Sequence, residues 1–236
     1  MAGSTYVIYY GWLTDDAGGE PNGDAREIAA VQAPLLIAHC RTAGPGVHAN
    51  LNPQVLALMH EAGTAVFAYV ATNFGKAPPG DVSKVVASCL AAGVDGVFFD
   101  ETDALREVTH FEYYQALARL VREAGKGVIV NPGVAQCGER IMEVADRVMV
   151  EHRWRDLRLG SLWSFRYPAQ RFMGVSSNEE HAMGYCVDEQ RAVADTLEAW
   201  RAGIGWHAAT DRYVELPHWF AAYVRAVNSD ATRLSP

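Results

Sequence analysis

The chain has 236 residues, 20 Lys+Arg against 28 Asp+Glu for a formal net charge of −8, 50% hydrophobic residues and four cysteines. That apolar content and the lack of low-complexity runs exclude collagen-like, coiled-coil and disordered chains. An acidic balance without Lys/Arg runs argues against a nucleic-acid partner, and no stretch approaches the ~18 apolar residues of a membrane span.

Apolar runs of four to eight residues, bounded by turn signals, recur along the chain. The first strand is expected at Tyr6 to Trp12, followed by a Gly/Asp-rich loop and a helix near Ala25 to Gln32. The second is Leu35 to Cys40, with a loop holding Gly44-Pro45-Gly46 and a helix from Pro53 to Ala62. The third is Ala65 to Val70, with a helix from Val82 to Ala92 after the Pro78-Pro79-Gly80 break. The fourth, Gly96 to Glu101, precedes a helix from Phe111 to Ala124, and the fifth, Gly127 to Asn131, precedes one from Gly138 to Ala145. Arg147 to His152 is the sixth, trailed by a short helix near Leu157 to Phe165. The seventh, Phe172 to Ser177, leads to a helix from Glu189 to Arg201; the eighth, Ile204 to Ala208, is closed by a helix from Trp219 to Val227.

Eight strand-then-helix units averaging about 30 residues predict an α/β chain folded as a single (β/α)8 barrel, with residues 1–236 as one domain. The strands lack strict polar alternation, as expected when helices cover one face and a packed interior fills the other. A doubly wound sheet is the competitor, but the first strand ends in Gly-Trp-Leu-Thr rather than a Gly-rich phosphate turn.

Barrel active sites lie where strands end at the C-terminal face, so the strand ends are the candidates. They supply Tyr10 and Trp12, His39, Tyr69, Asp100 and Glu101, Asn131, Glu151 and His152, Ser176 and Ser177, and Trp206 and His207 followed by Thr210 and Asp211. Asp100 and Glu101 close the most apolar strand, where two carboxylates are costly without partners or a task. Adjacent strand residues face opposite sides, so at most one of the two points into the mouth while strand geometry persists; if it is Asp100, Phe98 shares its row. Glu151 closes the sixth strand two positions away, putting backbones roughly 9 Å apart with the carboxyls nearer. That range spans both retaining and inverting glycosidases, whose chemistry needs one protonated and one ionised carboxyl. The structural alternatives are an N-cap or an ion pair with Arg106 or Lys126 for Asp100 and Glu101, and a salt bridge with Arg153 or Arg155 for Glu151. Tyr10, Trp12, Tyr69, Trp206 and Tyr213 would offer apolar faces to sugar rings, with His39, Asn131, His207 and Asp211 as further substrate-binding candidates.

No H-x-H or H-E-x-x-H spacing supports a metal, so none is expected, nor any cofactor. Gly174-Val175-Ser176 does not complete a nucleophile elbow. Cys40, Cys89, Cys137 and Cys186 form no C-x-x-C pair and read as buried free thiols. As written, the chain shows no export signal, which predicts a cytoplasmic protein, or a secreted one whose leader has been trimmed.

Gly44-Pro45-Gly46, Phe67-Ala68-Tyr69-Val70-Ala71-Thr72 running to Gly75, Asp95-Gly96-Val97-Phe98-Phe99-Asp100-Glu101, Asn131-Pro132-Gly133, Ala145-Asp146 before Glu151, and Thr210-Asp211 with Leu216-Pro217-His218-Trp219 occur in that order. Together they resemble the spherulin-4-like family, glycoside hydrolase family 135 and its relatives such as family 114, over nearly the whole chain. The resemblance implies a (β/α)8 barrel that cleaves α-1,4-linked galactosamine-containing polysaccharide, and matches Asp100, Glu101 and Glu151 to the family's acidic residues. On it rest Asp100 as nucleophile or charge stabiliser, Glu151 as general acid/base and Glu101 as auxiliary carboxylate. The other classes left open are a catalytically silent carbohydrate-binding barrel and a metal-dependent hydrolase using His39, His207 and a carboxylate. The partner in the favoured reading is a polysaccharide, without nucleic acid or membrane.

Overall fold

A computed structural model describes residues 3–15, 19–40, 50–103, 105, 110–178 and 187–233. The Gly44-Pro45-Gly46 loop, Arg106 and Cys186 lie outside them. Nine parallel strands run β1 (Ser4–Thr5), β2 (Val7–Tyr9), β3 (Leu35–His39), β4 (Ala65–Ala71), β5 (Gly96–Asp100), β6 (Gly127–Val130), β7 (Arg147–Met149), β8 (Phe172–Ser177) and β9 (Trp206–Thr210). β1 pairs with β9 and β2 with β3, and the two are pieces of one chain segment separated only by Tyr6, so the sheet closes on itself as an eight-stranded barrel. The helices are α1 (Gly23–Ala30), α2 (Pro53–Glu61), α3 (Pro79–Ala92), α4 (Phe111–Glu123), α5 (Ile141–Val144), α6 (Leu157–Gly160), α7 (Glu189–Arg201) and α8 (Phe220–Arg233). None of the helices among the described residues is long and apolar enough to cross a membrane.

Local chemistry starts the helices where the strands need them. Asn22, Asn52 and Asp188 place a side-chain oxygen on the backbone N–H three residues on, at 3.0, 2.9 and 2.8 Å, satisfying orphan donors of α1, α2 and α7. Pro53 and Pro79 sit in the first turns of α2 and α3, where their fixed φ suits the helix. At the opposite face of the barrel Asp95 accepts the Val66 N–H at 2.9 Å and Asp146 the Val128 N–H at 2.8 Å. These two acids, both within the strings that carry the family resemblance, therefore tie strand starts together.

Two apolar layers result. The interior holds Tyr6, Ile8, Leu35, Ile37, Phe67, Phe98, Ile129, Met149, Met173, Val175 and Ala208, one alternate set of residues from each strand. A Cβ on Gly96 would stand 2.2 Å from the Phe67 ring and one on Gly127 2.9 Å, so the two glycines admit one large ring to the narrow floor. The other layer lies between strands and helices, where α4, for example, buries Phe111, Tyr114, Leu117, Ala118 and Val121 at helical spacing.

Three strands differ from expectation by more than a residue: the first begins at Ser4 and stops at Tyr9 instead of running from Tyr6 to Trp12, and two others bear on the site. The sixth strand stops at Met149, and the chain turns at Glu151, φ +44°, into a 3-10 helix over Glu151–Asp156. The eighth strand runs Trp206–Thr210 instead of Ile204–Ala208, because Ile204 and Gly205 close the turn after α7 through bonds to the carbonyls of Ala199 and Ala169.

Candidate functional site

One step above each interior residue the alternation brings a polar or aromatic side chain inward at the C-terminal mouth. Above Phe98, Ile129 and Met149 stand Asp100, Asn131 and Glu151. The Asn131 amide nitrogen donates to Asp100 Oδ1 at 2.7 Å and to Glu151 Oε1 at 2.6 Å. Its carbonyl oxygen accepts the Gly133 N–H at 2.9 Å, which fixes which end of the amide faces the acids. Because both oxygens sit on one nitrogen, they are no more than about 5.3 Å apart.

Glu101 takes the other direction. It leaves the strand with φ +50°, its side chain is exposed, and its carbonyl accepts the Phe74 N–H at 2.6 Å and the Thr72 hydroxyl at 2.8 Å. Asn73 and Phe74, at φ +48° and +54°, are also left-handed, an unfavourable state for side chains with a Cβ. The turn is braced from below. Thr72 meets the Tyr114 hydroxyl at 3.0 Å, Tyr114 accepts the Asp103 N–H, and Asp103 pairs with His110, against which Gly75 packs. The strain holds the Phe74 ring 49% exposed beside the carboxylate-bearing strand end.

The opposite side of the mouth is aromatic. Tyr10 lies 4.8 Å from His39, 5.0 Å from Tyr69 and 5.4 Å from Tyr213, ring centre to ring centre, and His39 lies 4.4 Å from Tyr69. Burial pushes the Tyr10 and Tyr69 hydroxyls well above their ordinary range, with the negative charge of Asp100 next in size. Both phenols therefore stay protonated as donors. Trp12 is 43% exposed in the loop after β2, and Asp211 follows β9 directly.

Trp206 and His207 are not at the mouth. Trp206 begins β9 at the opposite end, under the Arg147 guanidinium at 4.6 Å. His207 is fully buried on the outer face of β9. Its Nδ1 is 2.9 Å from Thr196 Oγ1 and its Nε2 3.3 Å from Ser176 Oγ. Thr196 donates to the Ala192 carbonyl, so its oxygen is left to accept from Tyr223 and from His207 Nδ1–H. Burial, then the charge of Arg155, lowers the imidazole pKa to about 3. The correction follows from the register, because a two-residue shift of β9 moves these residues down the strand and brings Thr210 to its end. His39 and His207 therefore occupy different layers, and among the described residues no cluster of three or more His, Cys, Asp or Glu is placed for a metal ion.

The same outer layer positions Glu151. Its 3-10 helix carries Trp154, buried against β8 where Gly174 has no side chain, a Cβ there meeting Trp154 Cβ at 2.7 Å. It also carries Arg155, which reaches Asp195 on α7 at 2.7 Å; Asp195 has 1% side-chain exposure and is held by Arg191 at 2.9 Å as well. Arg155, which the sequence offered as an ion-pair partner for Glu151, pairs with Asp195 and, at 3.5 Å, with Glu198. Of the cysteines, Cys89 and Cys137 are buried and Cys40 is half-buried at the end of β3.

The family model Spherulin4, spherulation-specific family 4, matches residues 30–227. No curated protein matches the sequence. Among solved structures, Sph3 of Aspergillus clavatus in complex with GalNAc is similar with TM-score 0.70 at 16% identity, covering 96% of this chain and 97% of that one. The glycoside hydrolase domain of PgaB (BpsB) from Bordetella bronchiseptica gives TM-score 0.65 at 10% identity, covering 100% and 99%. A chitinase from Chromobacterium violaceum gives 0.61 at 11% identity, covering 97% and 99%.

Proposed function

Since the chain belongs to spherulation-specific family 4, we propose that its barrel mouth hydrolyses a glycosidic bond, in an α-1,4-linked polymer of galactosamine and N-acetylgalactosamine. The observation that carries this reading is the Asn131 amide shared by two carboxylates within about 5.3 Å of each other. Retaining glycosidases hold their carboxyls about 5–5.5 Å apart, and inverting enzymes need 6.5–9.5 Å to admit a water between them. The short span favours retention.

In this scheme Glu151 delivers a proton from Oε2 to the bridging oxygen as its bond to the anomeric carbon breaks, and Asp100 attacks or stabilises that carbon. The same Glu151 then takes a proton from water, which adds to the carbon and releases Asp100. Asn131, bonded to both acids, keeps their geometry through the cycle, and the Tyr69 hydroxyl stays protonated beside the charge of Asp100. Glu101 serves as an auxiliary carboxylate from outside the pair. Tyr10, His39, Tyr69 and Tyr213 form an apolar wall for one sugar, with Trp12, Phe74 and Asp211 around the rim. GalNAc in the Sph3 complex supports a hexosamine as ligand of this fold, and the hydrolase names of two structural neighbours are in keeping with the chemistry.

The test is incubation of wild type and Glu151→Gln with α-1,4-galactosaminan, acetylated and deacetylated, with products read by mass spectrometry. Oligosaccharides from wild type alone are expected. Tight binding without products from either protein would replace the hydrolase with a carbohydrate-binding barrel.

A further inference from the structure

Beside the carboxylate pair, a cavity of about 450 Å3 opens between the loop after β6 and the segment after β7. Ala135 and Gln136 form one wall; Arg153, Asp156, Leu159 and Gly160 form the other. Both walls continue from the catalytic centre. Val134, also at the cavity, follows Gly133, where a Cβ would lie 4.0 Å from Glu151 Oε2. Arg153 and Asp156 belong to the 3-10 helix that begins with Glu151.

The walls are tied to each other. Ser161, just past Gly160, donates to the Ala135 carbonyl and accepts the Cys137 N–H at 3.1 Å, and the Trp163 indole donates to the Cys137 carbonyl at 2.9 Å. A Cβ on Gly160 would reach Gln136 Cγ at 2.8 Å, so the two segments touch at its base. The cavity is thus built into the fold, and its volume falls within the range of small-molecule clefts.

Its chemistry is that of a polar, charged ligand. Arg153 and Asp156 are three residues apart on a helix with three residues per turn, so they share a face. Both are exposed, and neither has a side-chain hydrogen bond or ion pair among the described residues. A carboxylate and a guanidinium side by side offer an acceptor for an ammonium and donors for hydroxyl oxygens. The aromatic wall, contributed by β2–β4 and the segment after β9, lies across the carboxylates from this cavity.

We propose that the cavity binds the sugar on the Glu151 side of the scissile bond, and that Asp156 selects a hexosamine whose amine is free. Arg153 holds ring hydroxyls of the same sugar. This assignment rests on Glu151 as the general acid, and it gives the substrate a direction, from the aromatic wall across Asp100 and Glu151 to Arg153 and Asp156.

The experiment is calorimetric titration of an α-1,4-linked galactosamine tetramer, and of its fully N-acetylated counterpart, into Glu151→Gln protein with and without Asp156→Asn. Glu151→Gln prevents turnover, and circular dichroism checks that each protein is folded. Asp156→Asn is expected to weaken the free-amine tetramer about tenfold and to leave the acetylated one within twofold. Equal affinities with and without Asp156→Asn, or no binding of either tetramer, would overturn the proposal. Cleavage is scored separately with proteins carrying Glu151. Hydrolysis of the deacetylated polymer unaffected by Asp156→Asn leaves the hydrolase and removes the subsite; Asp156-dependent binding without any hydrolysis leaves the subsite and removes the hydrolase.

Discussion

Lowering the pH should unload the stability stored in His207. The imidazole is fully buried between β9 and α7, and its pKa falls from an ordinary 6.5 to about 3, burial being the main cause and Arg155 the second. The unfolded chain therefore takes up a proton as pH drops through 6.5, while the folded chain refuses it until about 3. Stability is complete above pH 6.5 and declines on acidification through that window. At 1.36 kcal/mol per unit, the full window is worth about 4–5 kcal/mol, and the stretch from pH 6 to 4.5 about 2. A domain of ordinary stability has about 5–15 kcal/mol in all, so the effect is visible. The assay is urea unfolding of wild type and His207→Gln at half-unit steps from pH 7 to 4.5. Glutamine retains a donor for Thr196 and an acceptor for Ser176 and does not titrate, so its curve should lack this slope while keeping that of every other group. Parallel curves for the two proteins would refute the argument. The same pair separates structure from substrate binding, because at neutral pH His207→Gln should keep its KM within about twofold, as a residue away from the mouth should.

Asn131→Ala removes both amide bonds to the acids, the one to an ionised Asp100 worth about 1.5–3 kcal/mol and the one to a protonated Glu151 about 0.5–1.5 kcal/mol. Reducing-end release from galactosaminan should fall about a hundredfold or more in kcat with the fold retained, and kcat within threefold of wild type would count against the bridging role. Phe74→Gly should both relieve the left-handed backbone, raising stability by about 0.5–1 kcal/mol, and remove a rim contact, raising KM several-fold; thermal unfolding and saturation kinetics on one preparation check the opposite signs. Asp195→Ala should lower the urea midpoint by the equivalent of about 2–4 kcal/mol, since Arg155 and Arg191 lose the carboxylate they share. A smaller loss would mean that the partly exposed arginines re-solvate freely.

The barrel was legible because its strands differ so plainly from what surrounds them. Short apolar runs reproduce β3, β4 and β8 to within a residue. The same reading made Phe98 and Asp100 share a row, and the interior does hold Phe98 with Asp100 above it. Asn131 could be named as a strand end, but its bonds to both acids depend on side-chain directions across three strands. The misplaced strand was the one where apolarity and strand diverge: Ile204 is buried in the turn after α7, so the run Ile204 to Ala208 reads as strand two residues too early. Phe74 was not legible in the sequence for another reason. Consecutive left-handed residues without glycine leave no mark in composition, and only the brace from Thr72 to His110 makes them tenable. Glu151 was expected to close a strand and instead opens a 3-10 helix, because Val148-Met149-Val150 continues to look like strand after the backbone has turned.

Gly174 never approaches the mouth, yet it acts as a depth gauge for it. The bare backbone at that point lets Trp154 sink against β8, and Trp154 is three residues along the helix that starts at Glu151. A single methyl there would lift the indole and tilt Glu151 with it, while every other mouth residue stays in place. Variation in the hidden seam between sheet and helices is therefore a route by which such barrels can retune, or lose, their chemistry. A survey confined to residues facing the substrate would miss it.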